Sequence, residues 1–478
     1  MVLTAVWYFV DCVDAQRVSL TAQGSDGSIA RRVSGGRADF LAVHAKDPET
    51  YPFLLESASV GTTGRYDLLL ADHGERLVLT STGLAGHSTS GSFLGALDDW
   101  FRQEHIVATA ATDRAPFCGG WFLYLGYELA AQFESRLRLP PARGLIAGAF
   151  RVAVAAIYDH ARDETWVVGE PGTEMAVSAL VESLQLALQA QSEPQAEVTL
   201  SLQEDDPDQY LDAVRRALEY ISAGDIYQAN LARGWRGSVP TSVSAASLYN
   251  RLRRANPGPF AGIAALPGMT VLSTSPERLV RCRDGVVETR PIAGTRPRQG
   301  DDATVRAELR ANTKEQAEHV MLLDLERNDI GRIATGGSVH VDEYMTVESY
   351  AHVHHIVSNV IGALRPDVTP GEVIRAVFPG GTITGCPKVR CMEIIAELEG
   401  RPRDAYTGSF GYLSRDGSLD LNILIRTATV WPRDLHRSEI SLMAGAGIVA
   451  DSDPQRELDE TRAKARGLLR ALTGSIGT

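Results

Sequence analysis

The chain reads as an α+β protein built in packed layers, and three features of the sequence carry that reading. Short apolar runs of strand character crowd the first part, among them Leu68-Leu-Leu-Ala71, Leu77-Val-Leu-Thr80 and Val152-Ala-Val-Ala-Ala-Ile157. Helical stripes gather after Asp206 and alternate unevenly with strands such as Met269-Thr-Val-Leu-Ser273. No regular strand–helix–strand beat recurs, as a doubly wound sheet would require, and no short-period repeat or low-complexity tract appears.

With 478 residues, 44% hydrophobic and 22% charged, the chain suits a soluble globular protein with room for two or three domains. A net charge of -13 argues against a nucleic-acid partner, which would look for a basic face. Small anions are a different matter, because a few local cations and amides hold them whatever the total charge. The cysteines Cys12, Cys118, Cys282, Cys386 and Cys391 are scattered, with no Cys-x-x-Cys pair, and point to reduced thiols in the cytoplasm. Met1 to Val10 is apolar but has no basic lead, and Asp11 and Asp14 follow; this predicts a first strand and not a signal peptide. No run approaches the roughly 18–20 apolar residues that cross a bilayer, so no membrane contact is expected.

Taken in chain order, the acidic, proline-containing stretch Ala190 to Asp208 divides an N-terminal region, 1–190, from a second region, 205–472. A helix begins there, with Asp206 as N-cap and Pro207 in the first position. Leu211, Val214, Leu218 and Ile221 form its apolar stripe, and Gly224 stops it. Lys314 to Leu325 is helical and carries Glu315 and Glu318. Pro379-Gly-Gly-Thr-Ile-Thr-Gly-Cys-Pro387 is a glycine-rich turn into a helix through Lys388, Val389, Met392, Ile395 and Leu398, closed by Gly400. Ala444-Gly-Ala-Gly-Ile448 is a second glycine turn. It precedes a helix capped by Asp453 and Pro454 that carries Glu457 and Glu460.

Carboxylates three apart share a helix face. Two such pairs offer four hard oxygen donors, a set that suits Mg2+; a solvated helix face uses the same pattern. Both glycine turns could present amides to a carboxylate or phosphate, or simply turn the chain. Arg426 could take a carboxylate bidentately, or sit in a salt bridge. These residues describe an enzyme with a Mg2+ site and a seat for a dicarboxylate-sized anion, and leave the reaction open.

The same residues, in this order, closely resemble the chorismate-utilising enzymes: anthranilate, aminodeoxychorismate, isochorismate and salicylate synthases. The resemblance is strong from Pro207 to Leu472. It extends to Phe53-Leu-Leu-Glu-Ser57, Gly64-Arg-Tyr66, Gly119-Gly-Trp121 and Gly126-Tyr-Glu128. It implies an anthranilate-synthase-like fold, two packed antiparallel sheets flanked by helices with an active-site cleft, in which the two regions intertwine. It also implies that Glu315, Glu318, Glu457 and Glu460 hold Mg2+ against the ring carboxylate of chorismate, some through water. Tyr406 and Arg426 would grip the enolpyruvyl carboxylate, Gly445 and Gly447 would give amides to a carboxylate, and Lys464 would bind one. His355 and Thr382 would stand at the reacting ring. Glu56 and Ser57 match the tryptophan pocket of anthranilate synthase, or else end a core strand.

Isochorismate and salicylate synthases carry a lysine base where this chain has Gln228, which accepts no proton near neutrality. The nucleophile expected here is therefore ammonia. Tyr227-Gln-Ala-Asn230, Asp324-Leu-Glu-Arg-Asn-Asp-Ile-Gly-Arg332 and Pro379 to Gly385 look more like aminodeoxychorismate synthase, which makes 4-amino-4-deoxychorismate for p-aminobenzoate and folate. Ala293 points the other way. Some of those enzymes place there a lysine that attacks C2, whereas anthranilate synthases share the alanine. Cys118 lies in the family's Gly-Gly segment and not on a nucleophile elbow, so a separate glutamine amidotransferase subunit is expected to supply the ammonia. No length after Ala471 could house a pyridoxal-phosphate lyase, which leaves pyruvate release from aminodeoxychorismate to another protein. Outside enzymology the alternative is a sensor that binds chorismate or tryptophan without turnover.

Overall fold

The computed structural model describes residues 21–23, 27–58, 64–107, 115–190, 199–297, 302, 307–308, 313–349 and 353–474. The strand expected at Met1 to Val10 lies outside them. Two antiparallel sheets, of thirteen and eleven strands among the described residues, form the α+β architecture that the sequence predicts.

The first sheet runs Thr21–Gln23, Ile29–Val33, Glu164–Gly169, Val154–Asp159, Tyr66–Ala71 and Phe53–Glu56 through its N-terminal half. It continues without a break into Phe260–Leu266, Met269–Ser275, Thr427–Pro432, Arg437–Ile448, Gln228–Pro240 and Leu202–Glu204. The seam is the pairing of Leu54 with Ile263. In the second sheet Ser409–Ser414 likewise pairs with Gly120–Leu125 on one side and Leu419–Asn422 on the other. Strands distant in sequence therefore share both sheets.

Side-chain alternation explains how these strands bury so much. Leu68 and Leu70 face the layer between the sheets, with Phe53, Phe122 and Phe150. Leu69 faces the opposite way, into the helix-covered layer with Leu54, Val177 and Leu180. Both faces are covered, so the run is apolar at every position. The rings of Phe53 and Phe122 stack across the sheets, centroids 4.0 Å apart.

Most helix boundaries follow local chemistry. Asp206 accepts from Asp208 N and Asp453 from Arg456 N at the starts of Pro207–Ser222 and Pro454–Thr473. Gly400, at φ 61°, closes Lys388–Glu399. The buried stripe of Pro207–Ser222 is Tyr210, Val214 and Ala217; Leu211, Leu218 and Ile221 pack at its margins. The run Val152 to Ile157 is not one strand. Ala147–Val152 belongs to the second sheet and Val154–Asp159 to the first, with the chain crossing at Ala153. Periodicity cannot reveal such a crossing, because both pieces are equally apolar. Among the described residues no helix is long and apolar enough to cross a membrane.

Replacing Phe53 by alanine should cost about 3–5 kcal/mol, since it opens a cavity where the sheets meet. A chemical-denaturation midpoint that hardly moves would contradict this inter-sheet contact.

Candidate active site

Gln228–Pro240 and Arg437–Ile448 form the floor of the site, with Asn230 opposite Gly447 and Ala232 opposite Gly445. The segment Ala444 to Ile448 is thus strand interior, not the turn that its glycines suggest. Those glycines provide space. A Cβ on Gly445 would come within 2.9 Å of the Tyr406 hydroxyl and 2.6 Å of Asn230 Oδ1. One on Gly447 would meet Gln228 Nε2 at 2.4 Å and stand 3.7 Å from Glu318 Oε1. Cross-strand pairing with larger neighbours, and not backbone freedom, dictates glycine here.

Buried Gln228 donates through Nε2 to Glu318 Oε1 at 3.1 Å. A carboxylate only accepts, so the amide orientation is settled and Oε1 is the free end. That oxygen is buried and has no hydrogen-bond partner among the described residues.

Tyr406 rides on a tight loop in which Asp404 and Thr407 take φ of 50° and 60°, left-handed values uncommon for such residues. Glu128 holds the start of this loop, accepting from Arg403 N at 2.8 Å and Asp404 N at 3.1 Å. Arg426, at φ 52°, precedes strand Thr427–Pro432, and its carbonyl accepts from the backbone and hydroxyl of Thr274. Its half-buried guanidinium makes no hydrogen bond or ion pair among the described residues. Burial draws its pKa below the usual arginine range, and nearby Tyr406 opposes that. The charge of Arg426 is also felt at His355, which burial, chiefly, pushes down to about 4. His355 is therefore a neutral imidazole at physiological pH. Arg426 thus lies within electrostatic reach of both Tyr406 and His355.

One buried carboxylate beside Thr382 is not singled out by the sequence. Glu277 is buried, accepts the Thr382 hydroxyl at 2.9 Å, and is pushed up to about 7, first by burial and then by neighbouring Glu326. Only Thr274-Ser-Pro-Glu277, an acidic residue kinked off a strand end, marks it in the sequence, and such turns are common.

Glu318 lies on helix Thr313–Gly331, whereas Glu457 and Glu460 lie on Pro454–Thr473. The side chain of Glu315 is outside the described residues. Among those described, no three His, Cys, Asp or Glu side chains gather closely enough to hold a metal. Glu460 is exposed and pairs with Lys464 at 2.8 Å; Lys464 also donates to the Gly445 carbonyl at 3.0 Å. The donors are all hard oxygens, which fits Mg2+ chemically. Ala293 sits in Ile292–Pro297 opposite Ile356, at a register shift beside the Thr295–His355 pair. Its side chain is also outside the described residues.

Glu56 and Ser57 occupy a separate place. Glu56 is buried and accepts from Tyr249 at 2.8 Å and Arg253 at 2.7 Å; Ser57 N donates to Asp67 at 2.8 Å. Beside Glu56 opens a cavity of about 400 Å³ lined also by Asp39, Asp67, Asn250 and Arg254. The Cys118 thiol is hydrogen-bonded to Ser414 and pushed up to about 11 by burial, which makes it a poor nucleophile.

Relatives carry the assignment further. Anthranilate synthase component 1 of Thermus thermophilus is 44% identical over 444 residues, 91% of this chain and 94% of the relative. Aminodeoxychorismate synthase component 1 of Bacillus subtilis is 36% identical over 449 residues, 88% and 91%. The crystal structure of anthranilate synthase component I from Streptococcus pneumoniae superposes with a TM-score of 0.75 at 29% identity, covering 86% of this chain and 93% of that one. Residues 63–470 match the chorismate binding enzymes, and the chain belongs to that family.

Proposed function

We propose that this protein is the ammonia-using synthase component that turns chorismate into anthranilate, with its substrate seated over Gly445 and Gly447. The observation that carries this is Arg426. A half-buried cation without a partner among the described residues is unfavourable until an anion arrives. With Tyr406 beside it, the guanidinium suits the enolpyruvyl carboxylate. The ring carboxylate would lie toward Lys464 and the glycine floor.

Mg2+ forms part of the proposal, held by Glu315, Glu318, Glu457 and Glu460, some through water, where its charge would neutralise the ring carboxylate. Protein groups supply the rest. Gln228 offers an amide oxygen that can orient N–H donors but cannot deprotonate water, which favours ammonia over water addition. As ammonia adds at C2, the ring double bonds shift and the 4-hydroxyl leaves as water with the Glu277 proton. Loss of the C2 proton and of the enolpyruvyl group as pyruvate then gives the aromatic product. Neutral His355 can orient the substrate here but is a weak base and a poor acid.

Entry at C2 is favoured because the anthranilate synthase relative is the more similar of the two and Ala293 brings no lysine to C2. The second reading, entry at C4 to give 4-amino-4-deoxychorismate, is favoured by Tyr227-Gln-Ala-Asn230 and Pro379 to Gly385. Both readings need a glutamine amidotransferase partner, as the component naming of the relatives implies. The cavity beside Glu56 is the proposed seat of inhibitory tryptophan, its ammonium facing the carboxylates.

Purified chain incubated with chorismate, Mg2+ and ammonium should produce fluorescent anthranilate. Appearance of p-aminobenzoate only after an added lyase would establish the second reading, and isochorismate formed without ammonium would defeat the argument from Gln228. Replacing Arg426 by methionine should raise KM for chorismate on the order of 10–100-fold, the loss of a charge-assisted bond, while raising thermal stability by removing an unpaired charge.

At constant free ammonia, kcat should fall as pH rises through about 7, because Glu277 must carry its proton. Glu277→Gln should lower kcat about 10²–10⁴-fold. Stability follows the same sign. With its folded pKa raised from 4.5 to about 7, Glu277 contributes fully below the free carboxylate range and loses that contribution as pH climbs through about 7.

A further inference from the structure

A second buried carboxylate lies across the turn that carries Thr382. Helix Thr313–Gly331 buries Glu326 and Asp329 on its inner face. Glu326 stands beside Gly381 of that turn, and Thr289 lies near its carboxylate. The approach is close: a Cβ on Gly381 would stand 3.2 Å from Glu326 Oε1. The next residue, Thr382, gives its hydroxyl to Glu277 at 2.9 Å. Adjacent residues of the one-turn helix Gly381–Ile383 thus stand against two different carboxylates, each only 5% exposed.

The charges around this pair can be named. Glu277 faces Glu326 from helix Thr313–Gly331 and Lys464 from Pro454–Thr473. Glu326 faces Asp329 on its own helix and Lys388 on Lys388–Glu399. Lys388 is committed elsewhere, to Asp329 Oδ2 at 2.6 Å and the Val377 carbonyl at 3.3 Å. Little cationic charge is left between the two glutamates, and like charges in a poorly solvated site do not both ionise readily. Burial, first, pushes both up to about 7; Glu326 adds to the rise at Glu277, and Asp329 to the rise at Glu326.

We propose that Glu326 is a positioning residue that sets the proton affinity of Glu277 across the Gly381–Ile383 turn, and so keeps an acid available at the substrate ring. This rests on the reading of Glu277 as that acid, and it deepens the reading: a residue outside the substrate seat decides the pH range of the reaction. A purely structural clamp would hold the turn equally well with an uncharged amide.

The test uses the full chain labelled with [5-13C]glutamate, its carboxyl signals followed against pH without substrate and the Glu277 signal assigned by its loss in Glu277→Gln. In Glu326→Gln the Glu277 midpoint should drop by about one pH unit, the usual scale for losing an adjacent like charge, and the alkaline limb of kcat should move down with it. Glu326→Asp keeps the charge and should hold the midpoint within a few tenths of a unit. An unmoved midpoint in a folded Gln variant, or a drop in the Asp variant as large as the full shift, overturns the proposal. The spectroscopic readout needs no turnover. A shifted midpoint with no aminated product would therefore sink the functional reading and leave the coupling standing, whereas normal anthranilate formation with an unmoved midpoint would do the reverse.

Discussion

Every N–H of the Arg403 guanidinium is engaged inside the protein, and the geometry of the site follows from where those bonds go. Two reach Glu399, at 3.0 and 2.6 Å. The others reach the carbonyls of Asn230 at 2.7 Å and Ile383 at 3.2 Å, and the Thr407 hydroxyl at 3.2 Å. One side chain thereby joins the floor strand, the turn after Thr382, the loop of Tyr406 and helix Lys388–Glu399. Glu399 returns a contact to the floor by accepting from Ala232 N at 2.9 Å. A buried ion pair adds little net stability against an apolar substitute, but losing one partner strands the other charge at a cost of about 3–5 kcal/mol. Its value here is geometric, because a fork of fixed shape cannot satisfy five acceptors in more than one arrangement.

Arg426 is the counterpart. Of the arginines near Tyr406, Arg403 is saturated and Arg426 is without a partner among the described residues. The saturated one builds the wall; the other is the cation on which the proposed anion seat rests. Backbone strain gathers in the same place, since Asp404, Thr407 and Arg426 all hold left-handed φ. Glu128, from the first half of the chain, braces that loop through two backbone N–H groups. The N-terminal region therefore helps shape the loop that carries Tyr406 as well as enlarging the core.

Legibility from sequence was uneven, for identifiable reasons. Asp206, Asp453 and Gly400 act within one helical turn of themselves, so their roles could be read from neighbours alone. Resemblance pointed to Tyr406, Arg426 and His355, and Arg426 lies within electrostatic reach of the other two. Glycines at 445 and 447 were expected in a turn and found in a strand, because what they accommodate is Tyr406 and Gln228 from other elements. Glu277 was invisible for the same reason. Its partner Thr382 is 105 residues away.

By itself the sequence determined where the capped helices begin and end, that oxygen donors and not thiols are paired on two helices, and which family the chain resembles. Near-neighbour sterics and side-chain period govern those properties. Tertiary structure alone decided which face of each strand is buried, where Ala153 passes from one sheet to the other, and which charges are neutralised and which are left for an anion. Desolvation depends on what packs from distant parts of the chain, so the proton affinities of Glu277, Glu326 and His355 arise only once the two sheets have closed around them.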